Sequence, residues 1–372
     1  MCVTGLRARH PMDNQHLEID RQHQGNTRLV EEPLPDLAAG KVRLQVERFA
    51  LTANTVTYAT TGDLLGYWDF YPSGTPGWGR VPAMGWAKVV ESTRPEIPVG
   101  ARYYGWYPMS RFVDIAAVPT PDGFRDDGPH RVAHAPVYRA FVATTNDPFY
   151  QSGTDAEDRH ALLRGLFITG FLAEDFFADN DYFGARRVLV LSASSKTAIG
   201  FAQCATSRGG IEVIGVTSPG NLDFVRKLGC YHQTVTYDEI ERLANDTDAV
   251  CIDMSGNGPV LGRVHARLGN RLKHSMAIGR SHHDAPPRAE GLTGPRPAFF
   301  FAPTQVKKRV QDWGPQGYQQ RIASAVKQFV DASRSWLEVV HVAGLQDAAS
   351  TWQTVRGGKV APQIGFIVTP QS

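Results

Sequence analysis

The run Ser192-Ala193-Ser194-Ser195-Lys196-Thr197-Ala198-Ile199-Gly200 offers the clearest chemistry in this chain. Its side chains are small, so its backbone can come close to a diphosphate. Ser194, Ser195 and Thr197 add hydroxyl donors, and Lys196 adds a cation. A helix starting here presents free N–H groups and a partial positive charge to an anion. Only Gly200 is a glycine, so the run is not G-x-G-x-x-G. The same residues also suit an ordinary strand–helix turn with an exposed lysine.

The surrounding elements favour the phosphate reading. Val188-Leu189-Val190-Leu191 is a continuous apolar run, as expected of a strand buried on both faces of a parallel sheet. A helical pattern follows through Phe201, Ala202, Cys204 and Ala205, then a strand over Ile211–Val216 and a helix from Asn221 to Leu228. Ala249–Asp253 and Met276–Ile278 read as later strands. This is the βαβ spacing of a doubly wound sheet, whose ligands sit at the carboxyl ends of the strands.

The end of the second strand selects the cofactor. An Asp or Glu there would bind the ribose 2′-hydroxyl of NAD. Here stand Thr217-Ser218-Pro219-Gly220-Asn221, without an acid. Hydroxyl and amide groups accept a 2′-phosphate without repulsion, so NADP(H) is expected, with help from Arg226 and Lys227. The same Ser and Asn residues also suit helix caps beside a solvated basic face.

Residues 1–155 carry short apolar runs broken by Gly and Pro, such as Val42–Val46, Ala87–Val90 and Arg111–Val118, and read as a β-rich, barrel-like domain. Residues 156–308 hold the dinucleotide-binding pattern. Residues 309–372 add a helix over Gln319–Ala332, a strand over Leu337–Val342 and a last strand over Gln363–Thr369, returning to complete the first domain. Pro121–His134 is polar and rich in Pro and Gly, and reads as a surface loop or insertion.

Composition removes other classes. The 372 residues carry 39 Lys and Arg against 37 Asp and Glu, a net charge of +2, which gives no reason to expect a nucleic acid or another polyanion. Cys2, Cys204, Cys230 and Cys251 are too scattered for a disulfide framework, and none forms CxxC. No apolar run approaches the 18 residues of a membrane span, and Met1 to Asp20 lacks a signal-like core, so a cytoplasmic protein is expected. His282-His283-Asp284 is the one cluster that invites a metal, but without a third placed ligand it reads as a solvated loop.

The chain resembles the medium-chain dehydrogenase/reductase superfamily, in its zinc-free quinone oxidoreductase and enoyl reductase branch. Val81-Pro82-Ala83-Met84-Gly85-Trp86-Ala87-Lys88-Val89-Val90 resembles the family's V-P-G-x-E-x-x-G-x-V segment. Asp253-Met254-Ser255-Gly256 resembles its D-x-x-G after the fourth strand. Thr354-Val355-Arg356-Gly357-Gly358-Lys359-Val360 with Ile364–Val368 resembles its C-terminal ending. The resemblance implies an α/β fold: a Rossmann doubly wound parallel sheet plus a β-rich GroES-like barrel. Trp86-Ala87 stands where zinc alcohol dehydrogenases place His-Glu, which implies no catalytic zinc. The turn is about two residues longer than the family's, with Lys196 inside the extra length.

The resemblance also implies site residues. Ser218 and Tyr237 match two of the three residues that grip the 2′-phosphate, while Asn221 stands at the lysine position; Lys196 or Arg226 would supply the missing charge. Ser255 and Gly279 fall where the nicotinamide of family members lies. Ala53 to Trp68 resembles the stretch through the active-site cleft, in which Tyr67 matches the tyrosine beside the substrate carbonyl. Tyr58 and Asn54 are the next candidates. Aromatic residues such as Phe70, Tyr71, Tyr103, Tyr104, Trp106 and Tyr107 suit either an apolar or aromatic substrate pocket or plain barrel core.

The implied activity is NADPH-dependent reduction of an activated C=C in an enone, enoyl thioester or quinone. A carbonyl reductase and a non-catalytic NADPH-binding regulatory or structural protein are the alternatives. Dimers through the cofactor domain are common in the superfamily, and Phe299-Phe300-Phe301 marks an apolar edge, so a homodimer is expected.

Overall fold

The computed structural model describes residues 13–279 and 291–371. Cys2, Arg280 and the His282-His283-Asp284 cluster lie outside the described residues.

Strand Arg187–Leu191 is apolar along its length because it lies between two parallel neighbours, Glu212–Thr217 and Ala249–Asp253. Gln233–Thr236, Leu272–Ala277 and Ala298–Phe299 complete the sheet. Taken in chain order, the six strands lie side by side as 3-2-1-4-5-6, the doubly wound dinucleotide-binding order. All pairs are parallel, so every carboxyl end falls on one edge.

The other sheet is a barrel. Strands Lys41–Leu51, Pro82–Ser92, Arg102–Pro108, Ala140–Ala143, Gly123–Asp126 and Phe112–Thr120 pair in that order, and the last pairs back with the first. The C-terminal strands Glu338–Ala343 and Ile364–Thr369 run parallel, and the second joins the barrel beside Lys41–Leu51. Leu17, Val42, Phe49, Tyr107, Phe124 and Phe141 are among the buried residues of its core. The segment expected as a surface loop thus contains a barrel strand. Phe124, one residue into it, is fully buried and stacks on Phe141 at 4.8 Å.

Helix Thr154–Asp179 packs between the two layers. Its buried charges are paired: Glu157 with Arg102 at 2.8 Å, Asp158 with Arg48 at 2.9 Å and with His341 at 2.7 Å. Helix Ala302–Ala332 is longer than the expected 319–332 and bends at Gly314, where φ is +72°, just before Pro315. Among the described residues no helix is long and apolar enough to cross a membrane.

Candidate active site

The carboxyl edge of the parallel sheet collects the residues expected to hold a dinucleotide. Ser192 leaves the first strand with φ +59°, the left-handed conformation that a glycine takes in the usual turn. Tyr237 hydrogen-bonds this serine, which holds the strained residue in place. The tyrosine expected at the 2′-phosphate is therefore engaged with the turn itself. Burial holds its phenol above the ordinary value, so it stays neutral.

The turn then enters helix Lys196–Arg208. Ser195 caps it, its side chain accepting from the Ala198 amide. Two glycines set where this helix starts. A Cβ on Gly200 would sit 3.0 Å from the Phe167 ring, and one on Gly170 would sit 2.6 Å from the Thr197 carbonyl oxygen. The motif's one glycine thus serves close helix packing, the job of the third glycine in a dinucleotide fingerprint. The amides of Lys196 and Thr197, in the first turn, have no partner within the helix. Ser194 Oγ accepts from Asn221 Nδ2 at 3.1 Å, which joins the two loops at the switch point. Tyr231, which the sequence did not single out, donates to the Ala193 carbonyl at 2.8 Å and packs over Gly215.

Lys196 does not point outward. Its Nζ donates to the carbonyls of Ile364 at 2.9 Å and Pro362 at 3.2 Å. The parallel sheet is thereby tied to the barrel's C-terminal strand. Burial pushes its pKa down to about 8, and no carboxylate among the described residues offsets this. Its ammonium is already shared by two carbonyls, so Arg226 is the remaining candidate cation. That residue is exposed and lines a hollow with Gln233, Glu239 and Arg242 beside the edge strand.

Thr217 ends the second strand 1% exposed, and its hydroxyl has no hydrogen-bond partner among the described residues. A buried orphan of this kind is costly and marks a place where a ligand group or water belongs. Ser255 is fully buried and its hydroxyl is used: it donates to Asp253 at 2.6 Å and accepts from the Asn257 amide at 3.0 Å. It shapes the turn after the fourth strand. Gly279, with φ +64°, is the last described residue before the segment from 280 to 290.

The three residues expected near the substrate do come together in the barrel domain. Helix Ala53–Thr60 carries Asn54 and Tyr58, which hydrogen-bond each other. Trp106 Nε1 donates to Tyr58 Oη at 3.4 Å. The Tyr58 and Tyr67 rings lie 4.6 Å apart. Tyr67 Oη meets Tyr138 Oη at 3.2 Å. Burial raises both Tyr58 and Tyr67 well above the ordinary phenol value, so both are neutral hydrogen-bond donors over the working pH range. Beside this cluster an open groove is lined by Leu64, Leu65, Gly66, His130 and His134. His134 donates from Nε2 to the Gly66 carbonyl at 2.9 Å, and its ring meets Phe70 at 4.6 Å. Nothing in the local sequence marks Tyr138; only the fold brings it to Tyr67.

Trp86 is fully buried among Tyr104, Tyr150 and His160, and its Nε1 donates to the Glu157 carbonyl at 3.0 Å. Among the described residues no group of three or more His, Cys, Asp or Glu is placed to hold a metal.

Known proteins share the fold that carries these residues. A family described as "Protein of unknown function (DUF2855)" matches residues 49–361. No curated protein matches the sequence. Among solved structures, CurA of Vibrio vulnificus in complex with NADPH is 13% identical with a TM-score of 0.61, over 96% of this chain and 99% of that one. The yhdH oxidoreductase of Salmonella enterica in complex with NADP is 17% identical with a TM-score of 0.54, over 95% and 99%. A cyclopropanase, the CurF ER domain of the curacin A biosynthetic pathway, is 16% identical with a TM-score of 0.58, over 96% and 99%. These structures share the fold of this chain, a doubly wound parallel sheet with a β-rich barrel domain, as the sequence motifs implied.

Proposed function

The chain belongs to the DUF2855 family, and from its fold and the donors along one sheet edge we propose that it is an NADPH-dependent, zinc-independent reductase of activated C=C bonds. The observation that carries this reading is the buried hydroxyl of Thr217, without a partner among the described residues, at the end of a second strand that no acid follows before Asn221. That donor set fits a ribose bearing a 2′-phosphate, where a carboxylate would repel it.

Thr217, Ser218 and Asn221 would hold the adenosine ribose and its phosphate. The capped N-terminus of helix Lys196–Arg208 would face the diphosphate. The bound nicotinamide supplies a hydride. The protein's own task is to orient the acceptor and supply the proton. Tyr67, neutral and buried among aromatic rings, is suited to donate to a carbonyl oxygen that gains charge. The groove beside it suits an apolar or aromatic substrate. Trp86, which the sequence resemblance sets where zinc enzymes carry a ligand pair, is a buried aromatic, and this supports proton donation by hydroxyl groups.

The test is NADPH oxidation against a panel of enones, enoyl thioesters and quinones, with product analysis. A saturated ketone supports the reading, and an allylic alcohol replaces it with carbonyl reduction. Tyr67→Phe should lower kcat by about 10²-fold or more, the usual scale of a lost general acid. NADPH binding without oxidation of any acceptor would leave a non-catalytic binding protein.

A further inference from the structure

We propose that Tyr138 is a proton-relay residue, passing solvent protons to Tyr67 through the contact between their hydroxyls. The inference rests on the reading of Tyr67 as the proton donor and adds how that donor is recharged.

Tyr67 is 7% exposed, and Tyr138 Oη is its one hydrogen-bond partner among the described residues. A phenol that gives up its proton in such a place must regain one through a neighbour. Tyr138 is partly exposed where Tyr67 is buried, so of the two it is the one that meets solvent. Its position is well fixed. The ring packs edge-on to Tyr67 at 5.8 Å and to Trp106 at 5.4 Å, and tilted against Phe70 at 5.5 Å. Its backbone is held from two sides, because its carbonyl accepts from Arg131 and its amide donates to Ala135 at 2.9 Å. The titratable and charged groups around the pair are Tyr58 against the Tyr67 ring, and His134 and Arg131 against Phe70. None of these hydrogen-bonds the Tyr67 hydroxyl.

The step balances. Reduction of the C=C takes up one hydride and one proton. Tyr67 gives its phenolic proton to the substrate atom that gains charge. The Tyr67 oxygen then takes the proton of Tyr138, and Tyr138 takes one from water. Both phenols end as they began, with one proton drawn from solvent. While Tyr67 is ionised, the Tyr138 hydroxyl donates to it, a charge-assisted bond stronger than a neutral one.

Two readouts test this, one independent of turnover. Tetrafluorotyrosine placed at position 67 of the full chain brings that phenol into an accessible pH range for ¹⁹F NMR titration. Tyr138→Phe keeps the ring packing and removes the donor. The pKa at position 67 should then rise by about one, the worth of a lost hydrogen bond to a charged oxygen. With an enone substrate, Tyr138→Phe should lower kcat about tenfold with KM unchanged and alter the solvent isotope effect on kcat. A pKa at position 67 unmoved by Tyr138→Phe overturns the relay, as does an unchanged kcat and isotope effect in an enzyme that needs Tyr67. A shifted pKa in a protein that reduces no acceptor supports the hydroxyl coupling and overturns instead the catalytic reading of Tyr67.

Discussion

Lys196 makes a prediction about stability that needs no substrate. Its ammonium is held by two backbone carbonyls and, among the described residues, by no carboxylate, and burial brings its pKa from 10.5 to about 8. Below pH 8 both folded and unfolded chains carry the proton, and the folded state bears the full cost of burying the charge. Between 8 and 10.5 the folded chain sheds the proton while the unfolded chain keeps it, so stability rises with pH across that window. A fall of about 2.5 in pKa corresponds to about 3 kcal/mol at 1.36 kcal/mol each. The side chain keeps some solvent access, which screens the charge and brings the expected gain nearer 2 kcal/mol. The neutral amine still has two N–H donors for its two carbonyls. Lys196→Met removes the charge and both donors. It should be close to wild type at pH 7, where the relieved charge and the two lost hydrogen bonds, at about 1 kcal/mol each, nearly cancel. At pH 10 it should be less stable than wild type by about 2 kcal/mol. Urea unfolding of both proteins at several pH values between 7 and 10 measures the difference, from which the tyrosine and cysteine titrations shared by both drop out. A difference that stays flat across the window refutes the reasoning.

Further expectations concern the cofactor turn and the sheet edge. Gly170→Ala places a Cβ 2.6 Å from the Thr197 carbonyl oxygen and 2.8 Å from the Phe201 amide, so two helices must separate; thermal unfolding should show a loss of about 2 kcal/mol or more, and NADPH affinity should fall with it. Ser218→Asp puts a carboxylate where a 2′-phosphate is expected, and calorimetry should show NADPH affinity down at least tenfold with NADH affinity kept or raised. Phe299 in the end strand of the parallel sheet is 63% exposed and Phe301, two residues on, 37%, and we propose that this edge pairs in a homodimer. Light scattering should find a dimer that Phe299→Glu converts to monomer, and a monomeric wild type would contradict the proposal.

The parallel sheet was readable from the chain because its strands are apolar on both faces and separated by small-residue turns. Val188 to Leu191 needs no knowledge of its partners to be read as a buried strand. Helix Thr154–Asp179 was not readable. It is buried on most of its surface, so it has no polar face, and its charges at Glu157, Asp158, Arg164 and Glu174 stand where apolar residues would be expected. Each is satisfied by a partner distant in sequence or fixed by the fold, such as Arg102 for Glu157 and Arg208 for Glu174. The same holds at the site. Ser194, Ser195 and Asn221 follow from the turn's residue types. The left-handed Ser192 looks like any other serine until Tyr237 is found against it. Lys196 showed a charge but not its direction, because the carbonyls that receive it lie more than 160 residues on. Tyr138 had no local signal, since its meaning comes from one hydroxyl contact across 71 residues of chain.

Calorimetric titration of the full-length chain with NADPH and with NADH addresses the central claim most directly. One NADPH should bind per chain, at least tenfold tighter than NADH, with the affinity reduced by Thr217→Val. Failure of both nucleotides to bind, or tighter binding of NADH, would contradict the account.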